Sequence, residues 1–289
     1  MAAALGPVVA LDAGISDDGI PAVLSSELRD GGALSGERLV RLLRDEGVDR
    51  IIHLDCALDW PRRPPYRGLD ALNLLAAAAA AQVSHVVLRS STMLYGARAE
   101  NTDQLKEDTP LRPEMRLAGV SAALEAEHHA ESFSRRYPGM SIGVLRLAPV
   151  LETRGESPLV ALLRTRFVPA VWDSDPLVQL LHPDDALEAL ICGLARRVSG
   201  ALNITPKSSM PWRAALQVAK KRIVSLPAPL AGVLEQLVWA VGRGALASAL
   251  AYTRYSCVAD GARARQSVAF EARYRSRDAL AEWLDQGPG

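Results

Sequence analysis

The chain has 289 residues, 49% apolar and 23% charged, with 33 Lys plus Arg against 33 Asp plus Glu. That size and composition suit one large globular core, or a core with a small lobe. The even charge excludes the basic footprint of a nucleic-acid-binding domain, and there is no acidic tail.

Cys56, Cys192 and Cys257 are far apart, and no two have the spacing of a zinc or redox site. The opening Met-Ala-Ala-Ala-Leu-Gly-Pro lacks the basic and apolar regions of a signal peptide. No uninterrupted apolar run reaches the length of about eighteen residues that a spanning helix needs. The expectation is a cytoplasmic chain with no transmembrane segment.

In chain order, residues 8–12, 22–26, 50–54, 85–90 and 141–147 are short aliphatic or β-branched runs that predict buried strands. Residues 37–46, 69–82 and 117–137 have helical spacing between them, and Ala76 to Ala81 are consecutive alanines, the best helix formers. Alternating strand and helix predicts a parallel sheet covered on both faces. Further on, residues 177–181 and 201–204 read as short strands around a helix at 183–196. Pro183 with Asp184 and Asp185 suits that helix's first turn, where the aspartates would cap it or meet its dipole. Leu230, Val233, Leu234, Leu237, Val238 and Val241 form an apolar stripe, interrupted by Gly242 and Gly244.

The motifs on these elements run in a recognisable order. Ile51-Ile52-His53-Leu54 ends a strand, and Asn73-Leu74-Leu75 lies in the following helix. Ser90-Ser91-Thr92-Met93-Leu94-Tyr95-Gly96 closes the strand at 85–90, and Glu107-Asp108-Thr109-Pro110 follows it. Later come Leu145-Arg146, Leu181-His182-Pro183-Asp184-Asp185, Gly200-Ala201-Leu202-Asn203, and a tail from Asp260 to Leu280. In this order the chain resembles the extended short-chain dehydrogenase/reductases, the NAD-dependent epimerases and dehydratases. The resemblance implies a Rossmann-like, doubly wound parallel sheet with a small C-terminal α/β lobe. Residues 1–150 would form a truncated Rossmann-like domain. Residues 151–289 would form the lobe and closing helices, packed as one unit with it.

An enzyme of that family needs a glycine-rich turn where the backbone meets the dinucleotide pyrophosphate. Gly14 and Gly19 have the wrong spacing for it. The better match puts residues 8–12 on the family's second strand and residues 22–30 on its third. The usual first strand, glycine loop and helix would then be missing. Asp12 and Glu27 would be vestiges of the residues that bind ribose and adenine, with Ser90 a third cofactor-side remnant.

The family also needs a Tyr with a Lys four residues later, whose cation lowers the phenol's pKa so that it can exchange a proton. Anchored on Glu125, those positions hold Leu117 and Ser121, and the helix contains no Tyr-x-x-x-Lys. Ser91 matches the catalytic Ser or Thr but stands as a remnant without its proton relay. Asp55 and Cys56 replace two small residues beside the cofactor, Arg67 falls where a helix asparagine often sits, and Glu152 replaces a glycine. His128 and His129 are helix neighbours that point apart and cannot share a metal. No metal is expected.

Three functions follow. The first is a pseudoenzyme acting as a binding, regulatory or partner subunit, with no high-affinity cofactor. The second is an atypical NAD(P)-dependent epimerase, dehydratase or reductase acting on a sugar nucleotide or a related hydroxyl substrate. The third is a membrane-peripheral ligand-binding module. The expected partners are an active paralogue or a second copy, with peripheral membrane contact through the stripe between Leu230 and Leu250 and no nucleic acid. With the first strand missing, residues 8–12 would move beside residues 50–54 or, in the alternative, a partner chain would insert a strand there. The Leu230–Leu250 stripe would cover the exposed sheet face or, failing that, make a homodimer contact.

Overall fold

The computed structural model describes residues 36–54, 71–102, 104–114, 120–152, 157–240 and 244–287. The expected strands at 8–12 and 22–26, the proposed loss of a first unit and the pairing of residues 8–12 all lie outside the described residues. So do Asp55, Cys56 and Arg67.

In chain order the described residues form α1 (Gly36–Asp45), β1 (Arg50–His53), α2 (Ala71–Ala80), β2 (His85–Ser91), a 3-10 turn (Thr92–Tyr95), α3 (Val120–Arg136) and β3 (Ser141–Leu147). There follow α4 (Pro158–Arg164), β4 (Phe167–Val171), β5 (Leu177–Val178), α5 (Pro183–Ala195), β6 (Gly200–Ile204), β7 (Met210–Pro211) and α6 (Trp212–Val218). Last come β8 (Arg222–Leu226), α7 (Ala228–Ala240), α8 (Gly244–Tyr252), α9 (Ala262–Val268) and α10 (Ser276–Asp285).

The main sheet is parallel, in the order β1-β2-β3-β6. Its strands are aliphatic almost throughout because both faces are covered. Val86, Leu88, Ile142 and Val144 meet α1, α2 and α3 on one face. Val87, Leu145 and Leu147 meet α5 on the other, where β6 also receives α9. The fourth strand and the helices of the second face come from the C-terminal half of the chain. Helix α2 follows from its alanines and ends where Gln82 takes the left-handed φ of 61°.

Helix α5 corrects one reading. His182, not an aspartate, is the N-cap: its Nδ1 accepts the Asp184 backbone N–H at 3.1 Å. Asp185 is fully buried, and its two carboxylate oxygens accept the backbone N–H groups of Arg273 and Tyr274 at 3.0 and 3.1 Å. It ties a distant segment to the helix.

The C-terminal lobe adds two small sheets, β4 with β8 and β5 with β7. The stripe expected to cover the main sheet lies here instead. Helix α7 packs on α8 and β4, and α8 packs on α4. Ala231 and Leu234 face Pro169 and Val171, whereas Leu230, Val233 and Leu237 remain 54%, 54% and 58% exposed. No described helix is long and apolar enough to cross a membrane.

His85 gives the fold a pH dependence. Its ring is fully buried, with Nε2 3.1 Å from Gly193 O and Nδ1 2.7 Å from the Ser141 hydroxyl. Burial pushes its pKa below the usual value. Above the unfolded-state value of about 6.5 the ring is neutral in both states. As pH falls through that value, the unfolded chain takes up a proton that the folded chain refuses, and stability declines toward the depressed folded-state pKa. The thermal midpoint of the wild type should fall between about pH 7 and pH 5, and His85→Gln should fall less steeply. Equal slopes would show that His85 is not the responsible group.

Candidate functional site

Open parallel sheets bind ligands at the carboxyl ends of their strands. Here that edge is built from the ends of β2, β3 and β6 and the 3-10 turn after β2. Arg146 lies near the end of β3, in an apolar strand between helices, where a charge is tolerable only if paired. Its guanidinium meets the Glu127 carboxylate of α3 along two directions: Nη2 donates to Oε2 at 2.7 Å and Nε lies 3.1–3.2 Å from both oxygens. Ser90, the β2 register partner of Arg146, donates to Glu127 Oε1 at 2.5 Å.

Arg146 Nη1 extends the network by donating to the Tyr95 hydroxyl at 2.8 Å and to Glu107 O at 3.0 Å. Tyr95 donates onward to Asn203 Oδ1 at 2.9 Å. Asn203, fully buried on β6, donates through Nδ2 to Leu105 O and Asp260 O, and its backbone N–H reaches Glu107 Oε1 at 2.9 Å. Burial opposes the Arg146 charge, but Glu127 and Tyr95 more than offset it and hold the guanidinium above its ordinary pKa. Burial likewise raises the Tyr95 phenol, and Arg146 only partly opposes this. Tyr95 is therefore a neutral hydroxyl that joins two neighbours and is not poised as a base. Gly96 completes the turn at φ 77°, where an added Cβ would strike the Arg112 backbone carbonyl.

The expected site residues divide across this edge. Ser90 points into the network. Ser91 lies on the opposite face of β2, and its Oγ accepts the Met93 backbone N–H at 3.1 Å as the cap of the 3-10 turn. Asp12, Glu27 and Leu117 lie outside the described residues, and Ser121 is exposed on α3. Glu125, the anchor of the sequence comparison, is also exposed, and the glutamate that faces the sheet is Glu127. Two residues turn a helix by roughly 200°, so the two glutamates lie on nearly opposite sides. The signal was available: the lone arginine in Val144-Leu145-Arg146-Leu147 required a buried carboxylate within reach.

Across the mouth, Arg89 bridges the strand ends. Its Nη2 pairs with Glu152 Oε1 at 2.9 Å and its Nη1 lies 3.4 Å from Leu54 O. Burial raises the Glu152 pKa, against the pull of Arg89. Ser90, the one expected cofactor contact among the described residues, gives its hydroxyl to Glu127, and the Glu152 carboxylate at the strand ends is paired with Arg89. Among the described residues no group of three or more His, Cys, Asp or Glu side chains could hold a metal ion.

Removing one member of the buried pair leaves a charge uncompensated. Arg146→Met should lower unfolding free energy by about 3–5 kcal/mol, measured by urea titration. Tyr95→Phe, which strands Asn203 Oδ1, should cost about 1–3 kcal/mol. The double variant Arg146→Met with Glu127→Gln should cost less than the sum of its single changes. Strict additivity would refute the coupling.

The NAD dependent epimerase/dehydratase family matches residues 6–205. Uncharacterised proteins of Mycobacterium bovis and Mycobacterium tuberculosis are each 26% identical over 261 residues, covering 85% of this chain and 68% of theirs. Among solved structures, the UDP-N-acetylglucosamine 4-epimerase from Bacillus cereus is 18% identical with a TM-score of 0.66, over 97% of this chain and 90% of that one. MoeE5 in complex with UDP-glucuronic acid and NAD is 24% identical with a TM-score of 0.62, over 88% and 84%. Those structural likenesses speak for a shared fold. The family match takes in the whole main sheet, from β1 through β6, and nearly all of the network above. The chain belongs to the NAD-dependent epimerase/dehydratase family.

Proposed function

We propose that this chain is a member of its family that works by binding, as a regulatory or partner subunit or a ligand-holding module, and not by hydride transfer. The observation that carries the reading is α3. This helix packs on β3 and bonds to Ser90, and it contains neither tyrosine nor lysine. Anchored on Glu125, the proton-exchanging positions hold Leu117 and Ser121. Anchored on Glu127, the glutamate that faces the sheet, they hold Gly119 and Ala123. Neither set supplies a phenol or an amine, and no tyrosine of the chain has a lysine four residues later. An active relative or a second copy is the partner that such a subunit would serve.

A second reading has the comparisons more directly on its side. The family is one of NAD-dependent enzymes, and the similar MoeE5 structures are complexes with NAD and with UDP-glucuronic acid or UDP-glucose. On that reading the chain is an atypical NAD(P)-dependent epimerase, dehydratase or reductase of a sugar nucleotide, with an acid–base group other than the family's Tyr and Lys.

Calorimetric titration of the full chain with NAD⁺, NADH and NADPH separates the two. The binding reading expects no dissociation constant in the micromolar range. It also expects that Leu117→Tyr with Ser121→Lys gains no hydride transfer, followed by the absorbance of reduced nicotinamide. Micromolar binding together with turnover of UDP-glucose or UDP-glucuronic acid by the wild type would establish the second reading.

A further inference from the structure

The C-terminal lobe packs directly against the Thr92–Tyr95 turn that follows Ser91. Residues 252–260 run from the end of α8 toward α9 and pass against that turn. Thr92, Met93 and Pro149 face Tyr252, Tyr255 and Cys257 around a cavity of about 10 Å³. That is room for about one water molecule, whereas a small-molecule pocket takes roughly 300–1,000 Å³.

The bonds along this segment are unevenly distributed. Its far end is fastened through the backbone: Leu105 N donates to Val258 O at 2.8 Å and Asp260 N donates to Leu105 O at 2.9 Å. Gln179 adds a two-way clamp on Ala259, with Nε2 donating to its carbonyl at 3.0 Å and Oε1 accepting its N–H at 2.9 Å. Residues 252–257 reach the first half of the molecule through bonds that each have a side chain on one side, with no backbone–backbone bond among the described residues. The Tyr252 hydroxyl donates to Met93 O at 2.8 Å, the Cys257 thiol lies 3.6 Å from Thr92 O, and Asn101 Nδ2 donates to Ser256 O at 2.8 Å. Their remaining ties run within the lobe: Ser174 Oγ donates to Arg254 O at 2.6 Å, and Leu177 N donates to Ser256 Oγ at 3.0 Å.

We propose that residues 252–257 are a strap that holds a cleft beside Ser91 shut, and that a ligand of sugar-nucleotide size enters only when the strap and the lobe behind it swing away from the Thr92–Tyr95 turn. The pivot is the fastened stretch at residues 258–260. Opening breaks the Tyr252, Cys257 and Asn101 contacts and the apolar packing of Met93 and Ala97 against the lobe, and it leaves the ties within the lobe intact. The proposal rests on the reading that the cleft binds a ligand, and it makes access to that ligand a property of the strap.

Cys257 reports the motion. Burial pushes its thiol up to about 12, so in the shut state it is protonated and, being half-buried, only partly accessible. Its modification by N-ethylmaleimide in the native full chain can be followed by peptide mass spectrometry, with buried Cys192 as the internal control for unfolding. Tyr252→Phe removes one hydroxyl and keeps the ring. It should speed Cys257 modification by about tenfold, the weight of one hydrogen bond, and leave Cys192 unchanged. Asn101→Ala should act in the same direction by a different bond. UDP-glucose, as the probe, should associate faster with both variants than with the wild type.

Unchanged Cys257 rates in both variants would overturn the strap. So would a wild-type rate as fast as that of the urea-unfolded chain. Faster modification with no UDP-glucose binding by any form would uphold the strap and retire the cleft as a sugar-nucleotide site.

Discussion

The structure depends on one buried charge. Arg146 stands in a strand whose neighbours are aliphatic, and desolvating a guanidinium there is tolerable only with a carboxylate in close, directed contact. Glu127 supplies it, which fixes the rotation of α3 about its own axis. Once α3 is set, Ser90 has its acceptor. Tyr95 and Asn203 then carry the remaining donors and acceptors out to β6, Leu105 and Asp260. Arg263 approaches Glu107 from α9 at 3.4 Å and completes the ring. Elements from both halves of the sequence are thus held in one register by a polar frame, and each link among its buried members is expensive to break because its partner would be left buried and unsatisfied.

The main sheet was legible because its strands are covered on both faces and read as continuous aliphatic runs. Residues 141–147 coincide with β3, and β1 and β2 differ from expectation by a single residue at one end. Of the small C-terminal sheets only β5 was legible, as the start of the strand expected at 177–181; β4 and β8 were not. Strand β4 carries Pro169 in its middle, and β8 begins with an arginine and is largely exposed. Each exists only by pairing with the other across a separation of about fifty residues, which no local pattern announces. The choice between Glu125 and Glu127 was also beyond periodicity alone. Alternatives on opposite sides of a helix are decided by what lies across from them, and here that is the one arginine of β3.

The stripe from Leu230 to Leu250 marks the opposite limit. Its spacing predicts helix correctly and says nothing about which layer the helix joins. Helix α7 is apolar on two adjoining sides. One side, with Ala231 and Leu234, meets β4, while Leu230, Val233 and Leu237 face outward. An amphipathic pattern identifies one buried face, but a helix with apolar residues around more than half its circumference does not say which part the chain itself will cover.

The same frame explains why the resemblance to the family speaks to architecture and is silent on the reaction. Ser90 and Tyr95 of the Ser-Ser-x-x-x-Tyr-Gly motif, Glu107 of Glu-Asp-x-Pro, Arg146 of Leu-Arg and Asn203 of Gly-x-x-Asn are members of one hydrogen-bonded network. Their job in this structure is to hold α3, the turn, β6 and the closing segment together. Ser91, one residue beyond Ser90, faces the other side of β2, and its hydroxyl bonds to the Met93 backbone outside that network. Residues that exchange protons can therefore change without unpairing a single buried group of the frame, whereas any change within the frame carries a folding cost. Motifs of this kind persist for as long as the fold is needed, and they record the fold whether or not the cleft beside them still performs chemistry.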